Sequence, residues 1–395
     1  MLFEPANLSD QKAKIIVVGV GGGGGNALNR MIQDGMNSVN FIAINTDAQD
    51  LENNNSQIKL QIGKELTKGL GAGANSEIGK NAVEENKEII IKELHKADMI
   101  FITAGMGGGT GTGAAPAIAQ ISKEIGALTV GIVTQPFAFE GPIRKKRAID
   151  GIKEMKKNCD TLLVIPNETL LEIASEETTV TESFKLADSI LNQATKGISD
   201  LINKPGLINL DFADVRTIMK NMGDAIMGTG IAQGEEKAIL AAQQAINSPL
   251  LQNASIKGAK GLLVNVSGPN NMTMRELNDA SNIIYQESGE DANVILGCVI
   301  DSELNDEIRI TVIATGLQNE HDCEYNNPYE EEDIKNRYLL HSTSIEEDTD
   351  KENNQLSKNI LDKEKSSDDE KNPDKDIMQF GEDLDIPTFL RNRKV

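Results

Sequence analysis

The sequence contains few of the residues that cross-link chains or bind metal ions. Among 395 residues there are only three cysteines and three histidines. The cysteines are odd in number and widely spaced, which fits neither a disulfide framework nor a zinc site. The histidines are equally isolated, and two of them lie in an acidic segment near the C-terminus. We therefore expect no histidine chemistry and no metal ion held by a cluster of side chains.

The sequence also lacks long apolar runs and an excess of positive charge. No run approaches the roughly 18 apolar residues that span a bilayer. The N-terminal Met-Leu-Phe-Glu-Pro has no basic region followed by an apolar core, so it does not resemble a secretion signal. The net charge of -22 disfavours a nucleic-acid surface. We expect a cytoplasmic protein that neither inserts directly into a membrane nor binds nucleic acid.

Most of the negative charge lies near the C-terminus. Between Glu320 and Asp385 there are 22 acidic and 8 basic residues, with few large apolar ones, which predicts a disordered linker. Residues 385–391, from Asp385 to Arg391, differ because Ile386, Phe389 and Leu390 follow helical i, i+3, i+4 spacing. This spacing is typical of a peptide that folds into a partner's groove, although stray apolar residues remain the alternative.

Glycine is abundant and forms two clusters. Residues 21–25 follow the apolar run 15–20, and residues 107–113 follow the apolar run 99–104. Glycine lets backbone amides approach a phosphate closely, and a helix N-terminus adds partial positive charge. Two such loops in one domain predict a nucleotide whose phosphate chain is bound from two sides.

Short β-rich runs alternate with helical stretches between residues 14 and 166. The predicted strands are 15–20, 40–45, 99–104, 128–134 and 161–165. This alternation predicts an α/β fold with a parallel sheet, whose ligands bind at the carboxyl ends of the strands. Residues 182–203 read as a long helix buried between two layers. A smaller α+β unit follows, with a helix at 235–247 and β-rich runs at 261–266, 294–300 and 308–314.

The first glycine loop alone leaves the nucleotide open. Residues 19–24 match G-x-G-x-x-G, and Asp47 stands about where a ribose-binding acid is expected, which would favour a dinucleotide-dependent oxidoreductase. That pattern is weak because any glycine run matches it, and such a site needs no second phosphate loop. A P-loop is excluded because no G-x-x-x-x-G-K-[S/T] occurs. A nucleotide-binding scaffold without turnover is a third hypothesis.

From spacing alone, Phe184, Asp188 and the pair Asp211 and Asp214 each allow both a structural and a functional interpretation. Asp211 and Asp214 stand three apart at a helix start, where an acidic cap has an ordinary stabilising role. Phe184 and Asp188 are four apart, so one helical face can present both to a ligand. Without further information Phe184 reads as a core residue and Asp188 as a solvated charge.

Residues 107–113 resemble the signature of the tubulin/FtsZ GTPase superfamily, whose glycine-rich loop holds GTP without a P-loop. The resemblance extends through residues 21–26, 69–73, 136–141, 165–167 and 209–214, and with residues 385–391 it is to the bacterial FtsZ branch. It implies a Rossmann-like parallel-sheet GTPase domain joined by a long central helix to a smaller α+β domain. It also implies GTP-dependent head-to-tail polymerisation into a contractile ring scaffold at the mid-cell division site. Residues 385–391 are then expected to recruit membrane-tethering and regulatory division proteins.

The resemblance also implies a role for individual residues. Those implied to bind GTP or GDP are Gly22, Gly23, Gly24, Gly25, Asn26, Ala72, Gly73, Gly109, Thr110, Gly111, Glu140, Arg144, Asn167, Phe184 and Asp188. Of these, Ala72 and Gly73 would close over the γ-phosphate, while Phe184 and Asp188 would contact guanine. The implied catalytic residues are Asp211 and Asp214, supported by Asn209, which enter the pocket of the next subunit. Mg²⁺ would bridge the phosphates.

The corresponding domain organisation has six parts. These are an N-terminal extension (1–12), a GTP-binding domain (13–181), the central helix and catalytic loop (182–222), a C-terminal α+β domain (223–317), the acidic linker (318–381) and the partner-binding peptide (382–395).

Overall fold

The computed structural model describes residues 13–173, 178–204, 206–208, 210–251, 256–289, 292–301 and 304–317. The described strands are β1 (Ile15–Val20), β2 (Asn40–Asn45), β3 (Ile58–Gln61), β4 (Met99–Gly105), β5 (Leu128–Gln135), β6 (Thr161–Pro166), β7 (Gly223–Gln233), β8 (Gly261–Gly268), β9 (Asn293–Ile300) and β10 (Glu307–Thr315). The described helices are α1 (Gly21–Gln33), α2 (Ala48–Glu52), α3 (Lys64–Thr67), α4 (Ser76–Glu85), α5 (Lys87–Leu94), α6 (Thr110–Glu124), α7 (Pro142–Asn158), α8 (Asn167–Ile173), α9 (Val180–Asn203), α10 (Phe212–Met219), α11 (Lys237–Ile246) and α12 (Met274–Ser288). The N-terminal extension, the acidic linker, the C-terminal peptide and Asn209 lie outside the described residues.

One sheet runs through the described chain in the order β3-β2-β1-β4-β5-β6-β7-β10-β8-β9. Strand β10 is antiparallel to both its neighbours, and the other pairs are parallel. The ladder between β6 and β7 is short, running from Thr161↔Gly223 to Leu163↔Ala225. Six parallel strands are thus continued by four strands of mixed direction. The predicted α/β class is confirmed, while the exact domain boundaries stay a prediction.

The parallel strands are covered on both faces. Strand β1 is buried at all six positions, as expected for a central parallel strand. One face packs against α1 and α9, through residues such as Leu28 and Ile190. The other face packs against α4 to α7, through residues such as Ile118 and Ile152. With both faces occupied, a ligand site is expected at the carboxyl edge of the strands. No helix among the described residues is long and apolar enough to cross a bilayer.

Helix α9 lies across the sheet and contacts both the six parallel strands and the four strands of mixed direction. A capping box between Thr179 and Glu182 fixes its start. Near its end, Asn203 Nδ2 donates to the carbonyl of Ser38, just before β2, at 2.8 Å. Between these points Asn265 Nδ2 of β8 donates to the carbonyl of Gly197 at 3.2 Å. The prediction of a long helix buried between two layers is therefore confirmed.

Sequence patterns did not predict β3, β7 or α12. In β7 the reason is glycine, which is uncommon inside strands unless another backbone approaches closely. A Cβ on Gly228 would lie 2.0 Å from the carbonyl oxygen of Ala245, and one on Gly230 would lie 2.0 Å from that of Ala241. Helix α11 therefore packs directly on the backbone of β7, which explains both the glycines and the missing β pattern.

Candidate active site

The two glycine loops contact each other at the carboxyl edge of the sheet. Helix α1 begins immediately after β1 with Gly21 at φ +70°, a conformation that favours glycine. A Cβ on Gly21 would lie 2.9 Å from the backbone nitrogen of Gly111. Because α1 and α6 begin side by side here, their N-terminal amides converge on one place. In neither helix does a side chain cap the N-terminus or an acid occupy the first turn, so both ends suit a bound anion.

A third loop closes against the second. A Cβ on Gly109 would lie 2.9 Å from both Ala72 Cβ and the backbone nitrogen of Asn75. Ala72 is buried, and nothing lies within 4 Å of the position where Gly73 would carry a Cβ. The structure thus places the starts of α1 and α6 and residues 72–73 next to one another, while their role in binding a nucleotide stays a prediction.

Several polar residues beside the phosphate loops were assigned no role from the sequence. Thr46 Oγ1 and Thr110 Oγ1 lie 2.6 Å apart in a buried hydrogen bond. Asn45 Nδ2 donates to Asp50 Oδ2 at 2.6 Å, and Asp50 Oδ2 lies 3.4 Å from where a Cβ on Gly22 would be. Burial, together with the charge of Asp47, raises the pKa of Asp50, while the bond from Asn45 opposes the rise. The available signal was their position at the end of β2 and directly after it.

Asp47 has a different role from the one a dinucleotide site requires. Its carboxylate accepts hydrogen bonds from the backbone nitrogens of Gln49 and Asp50 at 3.0 and 3.3 Å. It is therefore the N-cap of α2, which accounts for its place in the sequence without a ribose.

Glu140, Arg144 and Asn167 lie next to the second loop and at the end of β6. Glu140 Oε1 accepts from the backbone nitrogen of Phe137 at 2.9 Å, and its Oε2 lies 3.0 Å from Arg144 Nε. A Cβ on Gly107 would lie 2.7 Å from Arg144 Cγ, so this pair borders the loop. Asn167 is 5% exposed, and its Oδ1 is buried without a hydrogen-bond partner in the described part of the chain. A buried acceptor without a partner is costly unless a ligand supplies a donor.

Phe184 and Asp188 lie on the first turns of α9. The ring of Phe184 is 41% exposed and meets buried Phe137 edge to face, with centroids 5.3 Å apart. Burial raises the pKa of Asp188 from 3.8 to about 6, although Arg30 opposes the rise. The solvated-charge interpretation of Asp188 does not fit this burial. An exposed ring face beside a partly buried carboxylate suits a flat base with hydrogen-bond donors.

Asp211 and Asp214 lie far from these residues. Asp211 is the N-cap residue of α10, but its side chain makes no capping hydrogen bond. Both carboxylates are exposed. The C-terminal end of α10 is bound to Thr161, the first residue of β6, which places it at the amino edge of the sheet. From Asp188 to the end of α9 at Asn203, the helix rises about 22 Å. The structure therefore does not bring Asp211 and Asp214 together with the glycine loops.

Comparisons with known proteins identify the family and the fold. Residues 14–175 match the family model described as Tubulin/FtsZ family, GTPase domain, and residues 223–318 match that of the FtsZ family, C-terminal domain. The structure is similar to that of an empty FtsZ dimer from M. jannaschii, with 46% identity and a TM-score of 0.75, over 79% of this chain and 90% of that chain.

More distant solved structures share the fold. CetZ2 from Haloferax volcanii, solved as a GTPγS-bound protofilament, has 20% identity and a TM-score of 0.67 over 79% of this chain and 96% of that chain. CetZ1 from the same organism, a GDP-bound monomer, has 21% identity and a TM-score of 0.65 over 78% and 95%. The family matches decide against the oxidoreductase interpretation. The chain belongs to the tubulin/FtsZ family of GTPases.

Proposed function

We propose that this GTPase assembles head-to-tail and that each active site is shared between two subunits. One subunit would supply the pocket at the carboxyl edge of the sheet, and the next would supply Asp211 and Asp214. The observation that carries this proposal is the separation of the two groups by the length of α9. Catalysis requires reacting groups within about 3–3.5 Å of each other, so one subunit cannot complete the site with its own α10.

The pocket fits GTP or GDP in three parts. The uncapped N-termini of α1 and α6 would bind the phosphates through Gly22, Gly23, Gly24, Gly25, Asn26, Gly109, Thr110 and Gly111. Ala72 and Gly73 would close over the γ-phosphate. Glu140, Arg144 and Asn167 would bind the sugar side, where Asn167 Oδ1 can accept a hydrogen bond from a sugar hydroxyl. Phe184 would lie against guanine, and Asp188 would accept hydrogen bonds from its edge.

The exposed carboxylates suit a role in another subunit's pocket. Neither acts as a cap or lies buried, so both are free to position a water molecule against the γ-phosphorus. The water oxygen would form a bond to phosphorus as the bond to the bridging oxygen of GDP breaks, which releases phosphate. Such transfer depends mainly on positioning and charge stabilisation. Asn209 is expected to support the two aspartates.

The phosphate chain also calls for a divalent cation. Within the described ranges, no three His, Cys, Asp or Glu side chains converge to hold a metal ion. Mg²⁺ commonly keeps several waters and binds substrate phosphates with few protein ligands, so the sparse ligand set beside Thr46 and Thr110 fits an ion carried by the nucleotide. When bound there, Mg²⁺ would neutralise charge on the phosphates.

Repeated head-to-tail contacts that do not close generate filaments. Both ends of the molecule carry exposed apolar residues, Leu70 (85% exposed) beside the third loop and Leu207 (69% exposed) before α10. Apolar residues at both ends support a contact between unlike surfaces. We propose that the filaments form the ring scaffold at the mid-cell division site, in the cytoplasm.

The C-terminal peptide supplies a separate function. We propose that residues 385–391 bind membrane-tethering and regulatory division proteins, with the acidic linker as a spacer. Removal of residues 385–395 should leave GTP turnover and polymerisation nearly unchanged while abolishing capture by tethering proteins. Unchanged capture after the truncation would refute this role.

Mixing two inactive variants tests the shared site. Asp211→Ala should bind GTP normally but lose turnover, because its pocket is intact and its α10 is defective. Thr110→Ala should have a defective pocket but an intact α10. An equimolar mixture should regain part of the wild-type phosphate release, since an Asp211→Ala pocket can receive the α10 of a Thr110→Ala subunit. Wild-type turnover by dilute Asp211→Ala monomer, or no recovery in the mixture, would refute the shared site.

A further inference from the structure

Helix α10 is bound at its C-terminal end by two threonine hydroxyls. A helix leaves its last four carbonyls without partners in the helix. Thr315 Oγ1 donates to the carbonyl of Ile218 at 2.8 Å, and Thr161 Oγ1 donates to the carbonyl of Met219. Both threonines are buried, at 0% and 1% exposure. The helix that carries the two aspartates is thus fixed at the end opposite to them.

The two threonines come from different parts of the sheet. Thr161 is the first residue of β6, and Thr315 is the last residue of β10. Gly261 of β8 makes room for the second contact, because a Cβ there would lie 2.9 Å from Ile218 Cγ2 and 3.0 Å from Thr315 Oγ1. Both the six parallel strands and the following four therefore bind the end of α10.

The buried residues of α10 lie towards its anchored end, and the two aspartates lie at its exposed start. Val215, Ile218 and Met219 are buried in the core, whereas Asp211 and Asp214 are exposed. Eight residues of helix span about 12 Å, so a tilt of about 10° at the anchored end moves the first turn by about 2 Å. A misplacement of about 1 Å can reduce a catalytic rate about 100-fold.

We propose that Thr161 and Thr315 are positioning residues for GTP hydrolysis. Their hydroxyls set the direction of α10, so that Asp211 and Asp214 reach the phosphates of the neighbouring subunit in a productive geometry. This inference rests on the proposed shared site. It differs from an ordinary stabilising role because it predicts that the loss of a hydroxyl matters only in the subunit that supplies α10.

The mixture of Thr110→Ala and Asp211→Ala subunits separates these two roles. In that mixture the only complete sites combine the pocket of an Asp211→Ala subunit with the α10 of a Thr110→Ala subunit. Adding Thr315→Val to the Thr110→Ala subunit alters the subunit that supplies the functional α10. Adding it to the Asp211→Ala subunit alters a subunit whose α10 is already inactive. Sedimentation would measure incorporation of both subunits, and phosphate release would measure turnover.

We expect the first placement to lower the recovered kcat by about 10- to 100-fold with little change in the KM for GTP. The second placement should leave the recovered kcat within about twofold. Equal losses in both placements, or no loss in either, would overturn the inference. If the mixture without any threonine change fails to recover turnover, the shared site itself is wrong, so the two failures are distinguishable.

Three further variants distinguish the loss of a hydroxyl from a general loss of stability. Thr315→Ser keeps the hydroxyl and should restore the recovered kcat. Thr161→Val, placed in the same two ways, tests the second hydroxyl and replaces Thr315→Val if that variant does not fold. Thr129→Val is the matched control, because Thr129 is buried at the same edge of the sheet but, among the described residues, its Oγ1 donates only to the carbonyl of Ala127, at 3.2 Å. It should behave identically in both placements.

Discussion

The two ends of this molecule are built in opposite ways. At the nucleotide end, backbone segments pack so closely that a Cβ on Gly113 would lie 1.8 Å from the carbonyl oxygen of Ser76. At the α10 end, Asp211 and Asp214 are exposed, and the Asp211 side chain makes no capping hydrogen bond to any described residue. Under the proposed shared site, backbone geometry within one subunit would bind the nucleotide, whereas Asp211 and Asp214 would act in the pocket of a second subunit.

The largest expected effect on stability lies at the nucleotide end. Gly113→Ala should lower the free energy of unfolding by about 1–3 kcal/mol or more, because the added methyl group forces α4 and α6 apart. Gly108→Ala is the matched control in the same loop, since nothing lies within 4 Å of its Cβ position. Thermal unfolding of the two variants without nucleotide measures this contrast. Equal Tm values would contradict the tight packing of α6 against α4.

Asp188 should show a conflict between stability and binding. Burial raises its pKa from 3.8 to about 6, so the ionised carboxylate lowers the stability of the folded protein. This loss of stability is fully present above pH 6 and declines as the pH falls towards 4. Asp188→Asn should therefore stabilise the nucleotide-free protein at pH 7.5, by on the order of 2 kcal/mol, and have little effect near pH 4.

The same variant should bind GTP more weakly. Hydrogen bonds to a charged group are each worth about 1.5–3 kcal/mol, so Asp188→Asn should raise the Kd for GTP by 10-fold or more at pH 7.5. The wild-type affinity should fall as the pH decreases through about 6, and the ratio of the two Kd values should shrink with it. Phosphate ionisation affects both proteins equally and cancels in that ratio. A ratio that does not change with pH would exclude Asp188 as the acceptor.

The smallest effect concerns the start of α9. Thr179→Ala removes a capping box, which should cost about 0.5–2 kcal/mol of stability and weaken GTP binding a few-fold by loosening the turn that carries Phe184. Thr273→Ala removes the equivalent box of α12, away from the pocket. It should cost similar stability and leave the Kd for GTP unchanged. If Thr179→Ala and Thr273→Ala weakened GTP binding equally, the capping box of α9 would have no specific effect on the pocket, which would contradict this prediction.

The same contrast explains what the sequence could predict. The glycine loops were recognisable because several of their positions, such as Gly21, Gly109 and Gly113, lie too close to neighbouring atoms for a side chain. That close approach is visible in the residue type. Thr46, Asn45 and Asp50 were assigned no role because their contacts join separate segments, which periodicity does not show. Thr161 and Thr315 look like ordinary strand residues, and their bonds to α10 appear only in three dimensions.

Asp211 and Asp214 were ambiguous for another reason. Their spacing at a helix start is the same for a cap as for a catalytic pair, and only the missing capping bond favours the second role. Their proposed ligand lies in another copy of the chain, so local sequence patterns do not reveal it. The family resemblance supplied that information.

The most direct test of the shared site is the rate of phosphate release per subunit, measured against protein concentration with GTP in excess. Sedimentation in the presence of GTP or GDP would identify the concentration at which filaments form. We expect the rate per subunit to be near zero below that concentration and to rise steeply above it. A rate per subunit that stays constant down to fully dissociated monomer would contradict a site completed by a neighbouring subunit.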